Sequence, residues 1–325
     1  MALIFSVHCR QELHQSSAAL LSEISQLQSI FPRSLFLQGQ RALVFYRMKD
    51  LHTASNPFTS MLVSSPLCVD FLDHHSSILH TLNPPPQLAF ITHLSASHSR
   101  YRPKTCIALG NYYSLTHRLS SAIQSFRLAL QLDRNFASAW TLLGHEYYRM
   151  ENSHAAIEAY RRAVEGNGKD YRALVGLGVV YEGLEMRGYA LHYYRRAVAL
   201  RPDDGELWGM VGECLMGMER VGQAIEAWKR GIACIGFRAG SDGEDAFHAK
   251  CGRIEMLFQL AMAYEKVQNR GEAIECLEIC LEDSDRKEYL GSLDDPLRSK
   301  VIPVLGQARL LLARWTAADG DNTGA

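Results

Sequence analysis

Apolar residues recur along most of the chain at spacings of three and four, which is the spacing that places side chains on one face of an α-helix. The helical segments also repeat as blocks. Four glycines lie at intervals of 34 residues: Gly110, Gly144, Gly178 and Gly212. An apolar residue precedes each of these glycines. A fixed period of this length predicts an array of helical hairpins rather than a mixed sheet-and-helix domain.

Small and aromatic residues keep the same period. Twelve residues after each glycine stands an alanine: Ala122, Ala156, Ala190 and Ala224. Four residues further on stands a large aromatic side chain: Phe126, Tyr160, Tyr194 and Trp228. This is the pattern of the tetratricopeptide repeat. The sequence therefore predicts an all-α tetratricopeptide-repeat solenoid, a right-handed superhelix of antiparallel helix hairpins. The Gly and Ala positions are expected where two helices approach closely, and the aromatic residue is expected to fill the space between one hairpin and the next.

The repeats divide the chain into five segments. We predict divergent helical repeats over 1–100, four regular repeats over 101–236, an inserted loop over 237–253, a fifth repeat with a capping helix over 254–315, and a disordered tail over 316–325. Within the first segment, Ser55-Asn56-Pro57 and Ser64-Ser65-Pro66 are predicted to be connectors. Repeats stack on their neighbours, so we expect one elongated unit rather than the two compact domains that the length would favour.

Composition narrows the function classes. The chain has 325 residues and a net charge of -1, which argues against a generally basic nucleic-acid-binding protein. An apolar stretch long enough to span a membrane is absent from the sequence. The 8 cysteines follow no secretion signal and are expected to be reduced. We therefore expect neither nucleic acid nor membrane as a partner.

Catalytic and cofactor motifs are not evident. The repeat glycines lie inside predicted helices and form no phosphate-binding loop, and no G-x-S-x-G motif occurs. His74, His75 and His80 lack the further ligands of a zinc site, and packing in the repeat explains Cys276 and Cys280. We predict no catalytic residue, no cofactor and no metal site, and hence a protein that is not an enzyme.

The expected binding surface is the groove lined by the first helix of each repeat. Five acidic residues fall on groove positions towards the C-terminal end: Glu182, Glu206, Glu213, Glu255 and Glu265. A set of carboxylates attracts the Lys or Arg side chains of an extended ligand. Asn111 is the best candidate for holding a ligand's backbone, because an amide both donates and accepts hydrogen bonds. The alternative is that each glutamate is simply a solvated helix position.

Some stretches are more specific than the general repeat. Seven stretches closely resemble subunit eight of the anaphase-promoting complex, the cell-division-cycle twenty-three family: residues 101–115, 139–147, 155–164, 169–174, 176–178, 193–197 and 200–204. The resemblance is tight from 101 to 204 and looser over the flanking segments. The chain begins at a point equivalent to the middle of a family member, so the N-terminal dimerisation repeats are expected to be missing or reduced.

This resemblance implies a non-catalytic scaffold subunit of a large ubiquitin ligase that acts in mitosis, located in the nucleus and the cytoplasm. It implies the other subunits of the complex as partners, together with a coactivator that carries a basic, arginine-containing peptide box. Family members form homodimers, and a homodimer of this chain is left open. The groove residues expected to bind the peptide are Asn111, Thr141, His145, Glu146, Arg172, Glu182 and Glu213. The alternative function is a chaperone or transport adaptor that uses the same fold to bind another protein's acidic peptide.

Overall fold

The structure, a computed structural model, describes residues 17–48, 50–66, 69–83, 85–238, 244–285 and 296–322. Every regular element in these ranges is a helix, which confirms the all-α prediction. The chain divides into two compact units, Met1–Gly168 and Lys169–Ala325. The expectation of one elongated unit stays a prediction.

The first unit contains nine helices within the described residues. They are α1 (Ser17–Ile30), α2 (Leu35–Arg47), α3 (Leu51–Ser64), α4 (Leu72–Leu82), α5 (Pro85–Ser99), α6 (Pro103–Leu115), α7 (Leu119–Leu132), α8 (Ala137–Arg149) and α9 (Ser153–Gly166). Several begin at a side-chain cap that satisfies a free backbone N–H. Ser34 accepts from the N–H of Leu37, and Asn152 accepts from the N–H of Ala155.

The predicted connector Ser55-Asn56-Pro57 is wrong, because these residues lie inside α3. Asp50 caps this helix by accepting a hydrogen bond from the N–H of Thr53 at 3.1 Å. Ala54, Phe58 and Met61 then recur at helical spacing and are buried in one cluster with residues of α2 and α4. Burial of this apolar face outweighs the helix-breaking tendency of the proline.

The second unit contains seven helices within the described residues. They are α10 (Tyr171–Gly183), α11 (Arg187–Leu200), α12 (Gly205–Gly217), α13 (Val221–Arg238), α14 (Glu244–Lys266), α15 (Arg270–Asp285) and α16 (Pro296–Asn322). The last helix, α16, packs against both α14 and α15, as expected of a capping helix.

Two predicted irregular segments of the second unit are largely helical. The loop expected over 237–253 is wrong at both ends, since α13 continues to Arg238 and α14 starts at Glu244. Residues 239–243 lie outside the described residues. The extra turns of α14 carry Cys251, which is buried with Ile254 and Val301, so packing explains why the chain stays helical there. The tail expected to be disordered from 316 is helical to Asn322.

The repeated glycines lie directly under the repeated aromatic rings. A Cβ atom on any of these glycines would lie less than 3.0 Å from an aromatic ring on the second helix of the same hairpin. The four pairs are Gly110 with Phe126, Gly144 with Tyr160, Gly178 with Tyr194, and Gly212 with Trp228. The predicted close approach is confirmed, and each ring fills space inside its own hairpin. The four alanines of the pattern are fully buried: Ala122, Ala156, Ala190 and Ala224.

The turn that joins the two helices of each hairpin repeats as well. One residue in each turn has left-handed backbone geometry, with φ between 58° and 62°: His117, Glu151, Glu185, Glu219 and Gln268. The next N–H donates to a carbonyl five residues back, as Met186 does to Tyr181 at 2.8 Å. This is the Schellman ending of a helix. The sequence gives little sign of it, because glycine stands at none of these positions.

Candidate functional site

In the first unit, a buried polar ladder connects the first helices of successive repeats. Asn111 of α6 is only 2% exposed. Its amide nitrogen donates to the hydroxyl of Ser76 at 2.9 Å and to that of Ser77 at 3.4 Å, both on α4. The amide expected to hold a ligand's backbone therefore joins two helices of the unit in this structure.

Ser114 is the centre of a second set of polar contacts. Its hydroxyl donates to Oε1 of Glu146 at 2.7 Å and accepts from the guanidinium of Arg149 at 2.8 Å. The ring of His80 lies 3.1 Å from the same hydroxyl. Burial, and then the positive charge of Arg149, hold the pKa of His80 below its usual value. The imidazole is thus neutral at pH 7, while the carboxylate and the guanidinium form an ion pair of 3.3 Å.

The remaining predicted residues of the first unit are also engaged in internal contacts. Thr141 is buried and donates to the carbonyl of Ala137 at 3.3 Å. His145 lies 2.7 Å from the hydroxyl of Tyr160, the aromatic residue of its own repeat. Peptide binding by Asn111, Thr141, His145 and Glu146 stays a prediction.

In the second unit, Glu182 is positioned by the aromatic residue of its repeat. The hydroxyl of Tyr194 donates to Oε2 of Glu182 at 2.7 Å. Burial of the ring, and then this bond to a carboxylate, raise the pKa of Tyr194 well above its usual value. Because the ring is fixed against Gly178, the carboxylate is held in one orientation at the C-terminal end of α10.

Glu213 on α12 belongs to the same group of carboxylates. Desolvation of its carboxylate raises its pKa, and the negative charges of Glu255 and Glu182 raise it further. We call Glu182, Glu213 and Glu255 the acidic set. Its members lie on the first helices of three successive repeats, α10, α12 and α14. The structure therefore places Glu213 within electrostatic reach of two further predicted groove glutamates, Glu182 and Glu255.

Arg172 lies at the start of α10. Its Nε is 3.6 Å from Oδ1 of Asp170, and the same oxygen accepts the N–H of Arg172 at 3.1 Å. Asp170 is a helix cap that also binds the guanidinium. Contact of Arg172 with a peptide stays a prediction.

Sequence reasoning did not include Ser76, Ser77, His80 or Arg149 among the functional candidates. One signal could have found two of them: Ser77 precedes Asn111 by 34 residues and His80 precedes Ser114 by 34 residues, so the polar pairs follow the repeat period. No three His, Cys, Asp or Glu residues in the described ranges are grouped so that they could hold a metal ion. Of the helices described, none combines the length and the apolar content needed to cross a bilayer.

Comparison with known proteins first identifies the class. Tetratricopeptide-repeat families match residues 103–136, 141–185 and 254–282. A solved structure described as the APC/C hetero-tetramer Cut9-Hcn1 shares the fold, with a TM-score of 0.62 and 18% identity, over 90% of this chain and 59% of that chain. The chain is therefore a tetratricopeptide-repeat protein.

The more specific sequence matches are to one subunit of the anaphase-promoting complex. The family described as Anaphase promoting complex subunit 8 / Cdc23 matches residues 1–42. The anaphase-promoting complex subunit 8 of Arabidopsis thaliana is 36% identical over 151 residues, which is 46% of this chain and 26% of the relative. The anaphase-promoting complex subunit CDC23 of Saccharomyces cerevisiae is 31% identical over 150 residues, which is 46% of this chain and 24% of the relative. Over these segments the chain is similar to the subunit 8/Cdc23 family, in agreement with the resemblance seen in the sequence. The matched segment spans about a quarter of each curated relative.

Proposed function

We propose that the chain is a non-catalytic scaffold subunit of the anaphase-promoting complex and that its second unit binds a basic, arginine-containing peptide of a coactivator. Similarity to the subunit 8/Cdc23 family supports the scaffold role. The acidic set supports the peptide role, and it is the single observation that carries it.

The charge arrangement of the acidic set suits a guanidinium ligand. The carboxylate of Glu213 is partly desolvated and faces two further negative charges, which is why its pKa is raised. An arriving arginine would remove this repulsion and form charge-assisted hydrogen bonds, which are stronger than those between neutral groups. The Tyr194 hydroxyl already fixes Glu182, so little side-chain freedom would be lost on binding.

The proposed partners are the other subunits of the complex and the coactivator. The proposed location is the nucleus and the cytoplasm, where the complex acts. The resemblance also implies a homodimer for family members, and a homodimer of this chain is left open.

Affinity purification from dividing cells tests both parts of the proposal. Tagged wild-type chain should recover other subunits of the complex together with the coactivator. The Glu182→Lys variant should recover the subunits but lose the coactivator, because it reverses one charge of the acidic set. The matched control is Glu219→Lys, which changes an exposed turn residue after α12 and should behave as wild type. Recovery of the wild-type chain alone would refute the scaffold role, and equal coactivator recovery by Glu182→Lys would refute the peptide site.

A further inference from the structure

The second helix of the third regular repeat, α11, has an exposed basic and aromatic face. Tyr189, His192, Tyr193 and Arg196 follow one another at spacings of three and four and share one side of the helix. Tyr189 is 57% exposed, and His192 and Arg196 are also exposed. The helix contains no Asp or Glu. We call these four residues the α11 face.

In the neighbouring repeats, the equivalent arginine forms an ion pair with a glutamate of the same helix. In α9, Glu158 pairs with Arg162 at 2.7 Å, and in α13, Glu226 pairs with Arg230 at 3.9 Å. These pairs stand 34 residues before and after the positions of His192 and Arg196. The third repeat therefore keeps the arginine but has a histidine in place of its glutamate.

The neighbouring arginines each lie over a tryptophan ring, and the third repeat has no tryptophan at the equivalent position. Arg162 lies over the ring of Trp140 at 4.9 Å, and Arg230 lies over that of Trp208 at 5.3 Å. The third repeat has Leu174 at the tryptophan position. Among the described residues, the contact recorded for Arg196 is with the ring of Tyr193 at 6.0 Å, and no carboxylate pairs with it.

The two tyrosine rings of the α11 face are stacked on a tyrosine of the preceding helix, α10. Tyr181 of α10 stacks on Tyr193 with a centroid distance of 5.5 Å and an angle of 2°, and on Tyr189 with 5.5 Å and 27°. Rings fixed before binding lose little conformational entropy when a ligand packs on them. The α11 face thus combines an ordered apolar platform with a guanidinium that pairs with no carboxylate in the described part of the chain.

We propose that the α11 face is a docking surface for an acidic peptide segment of a partner protein. Carboxylates of the peptide pair with Arg196 and accept hydrogen bonds from His192 and the tyrosine hydroxyls, while an apolar side chain of the peptide packs on Tyr189. Charge complementarity selects this occupant, since the face carries no negative charge. A nucleic acid fits less well: the face extends for about 10 Å along the helix, and its single arginine falls far short of the roughly six to ten phosphate contacts that sustain DNA binding.

Fluorescence anisotropy with purified chain tests the proposal. The probe is a fluorescein-labelled peptide of repeated Glu-Glu-Leu units, and the uncharged comparison peptide has Gln-Gln-Leu units. The informative variant is His192→Glu, which restores the residue type of the neighbouring repeats, supplies Arg196 with an internal partner and does not disturb the helix. We expect it to weaken binding of the acidic peptide at least about tenfold, and Arg196→Glu to do the same. The matched control, Arg230→Glu, changes the equivalent arginine of α13 and should leave the affinity unchanged.

Three results would overturn the proposal. These are equal affinity of wild type and His192→Glu for the acidic peptide, equal binding of the Gln-Gln-Leu peptide, and tighter binding of single-stranded DNA than of the acidic peptide at this face. The α11 face and the acidic set share no residue, so the two proposals are independent. Glu213→Gln should therefore leave binding of the acidic peptide intact. Loss of basic-peptide binding with retention of acidic-peptide binding would therefore separate the two.

Discussion

Replacing Gly178 by alanine should destabilise the protein through one identifiable contact. The new Cβ would come within less than 3.0 Å of the ring of Tyr194, which is almost completely buried and cannot swing into solvent. The ring also donates the 2.7 Å hydrogen bond to Glu182, so any shift that relieves the clash weakens that bond. The glycine is therefore required by packing, in a helix where alanine is otherwise the better residue.

The magnitude follows from three contributions. Overpacking of a buried site costs about 1–3 kcal/mol, and loss of a hydrogen bond to a charged group costs about 1.5–3 kcal/mol. The higher helix propensity of alanine stabilises the helix by about 1 kcal/mol and partly offsets these losses. The net destabilisation expected for Gly178→Ala is about 1.5–5 kcal/mol, measured by urea unfolding followed by circular dichroism. The control Gly188→Ala, where nothing lies within 4 Å of the new Cβ, should be neutral or slightly stabilising.

A double-mutant cycle isolates the contact. In the background Tyr194→Ala the ring is gone, so adding Gly178→Ala should cost nothing and gain about 1 kcal/mol of helix propensity. If Gly178→Ala is equally destabilising with and without the ring, the packing account of the repeated glycine is refuted.

The remaining predictions concern the turns, the polar ladder and the acidic set. Glu185→Gly should stabilise the protein by about 0.5–1 kcal/mol in thermal unfolding, because glycine relieves the left-handed backbone, whereas Leu184→Gly, at a right-handed position, should destabilise it. Ser114→Ala should lower the free energy of unfolding in urea by about 1–3 kcal/mol, because Glu146 and Arg149 lose the hydroxyl that they share. The control Ser125→Ala loses only a hydrogen bond within its own helix and should lower the free energy of unfolding much less. Glu213 has a raised pKa in the folded state, so its contribution to stability is present below its unfolded value of 4.5 and is lost as pH rises through the raised folded value. Glu213→Gln should therefore be increasingly more stable than wild type as pH rises through that range, and parallel stability curves would contradict this.

The repeated part of the fold could be predicted because its physical requirements are local. A glycine, an alanine and an aromatic residue at fixed spacing are needed wherever two helices pack this closely, and Gly178 with Tyr194 illustrates this in the structure. The helix α3 was missed because a proline and two polar residues outweighed the weaker signal of Ala54, Phe58 and Met61. The glycine and acidic residues near 240 favour a long loop in the sequence pattern. In the structure, α14 begins at Glu244, inside the predicted loop, and Cys251 of this helix is buried.

The candidate site could be predicted only as a set of positions. Spacing placed Asn111 and Glu182 on the first helices of their repeats, but it did not indicate that serines of α4 would receive the amide of Asn111. Nor did it indicate that the hydroxyl of Tyr194 would orient Glu182. Such contacts join different helices, and their geometry depends on how the hairpins pack, which the residue pattern of a single repeat does not contain.

The affinity of an arginine-containing peptide for the chain, measured as a function of pH, tests the central claim most directly. If the peptide binds at the acidic set, it stabilises the ionised form of Glu213 and lowers its pKa. The affinity of wild type should then rise as the pH rises through the raised pKa of Glu213, and Glu213→Gln should flatten the dependence and weaken binding at neutral pH, while Glu219→Gln should match wild type. Affinity that is independent of pH and identical in wild type and Glu213→Gln would contradict the account.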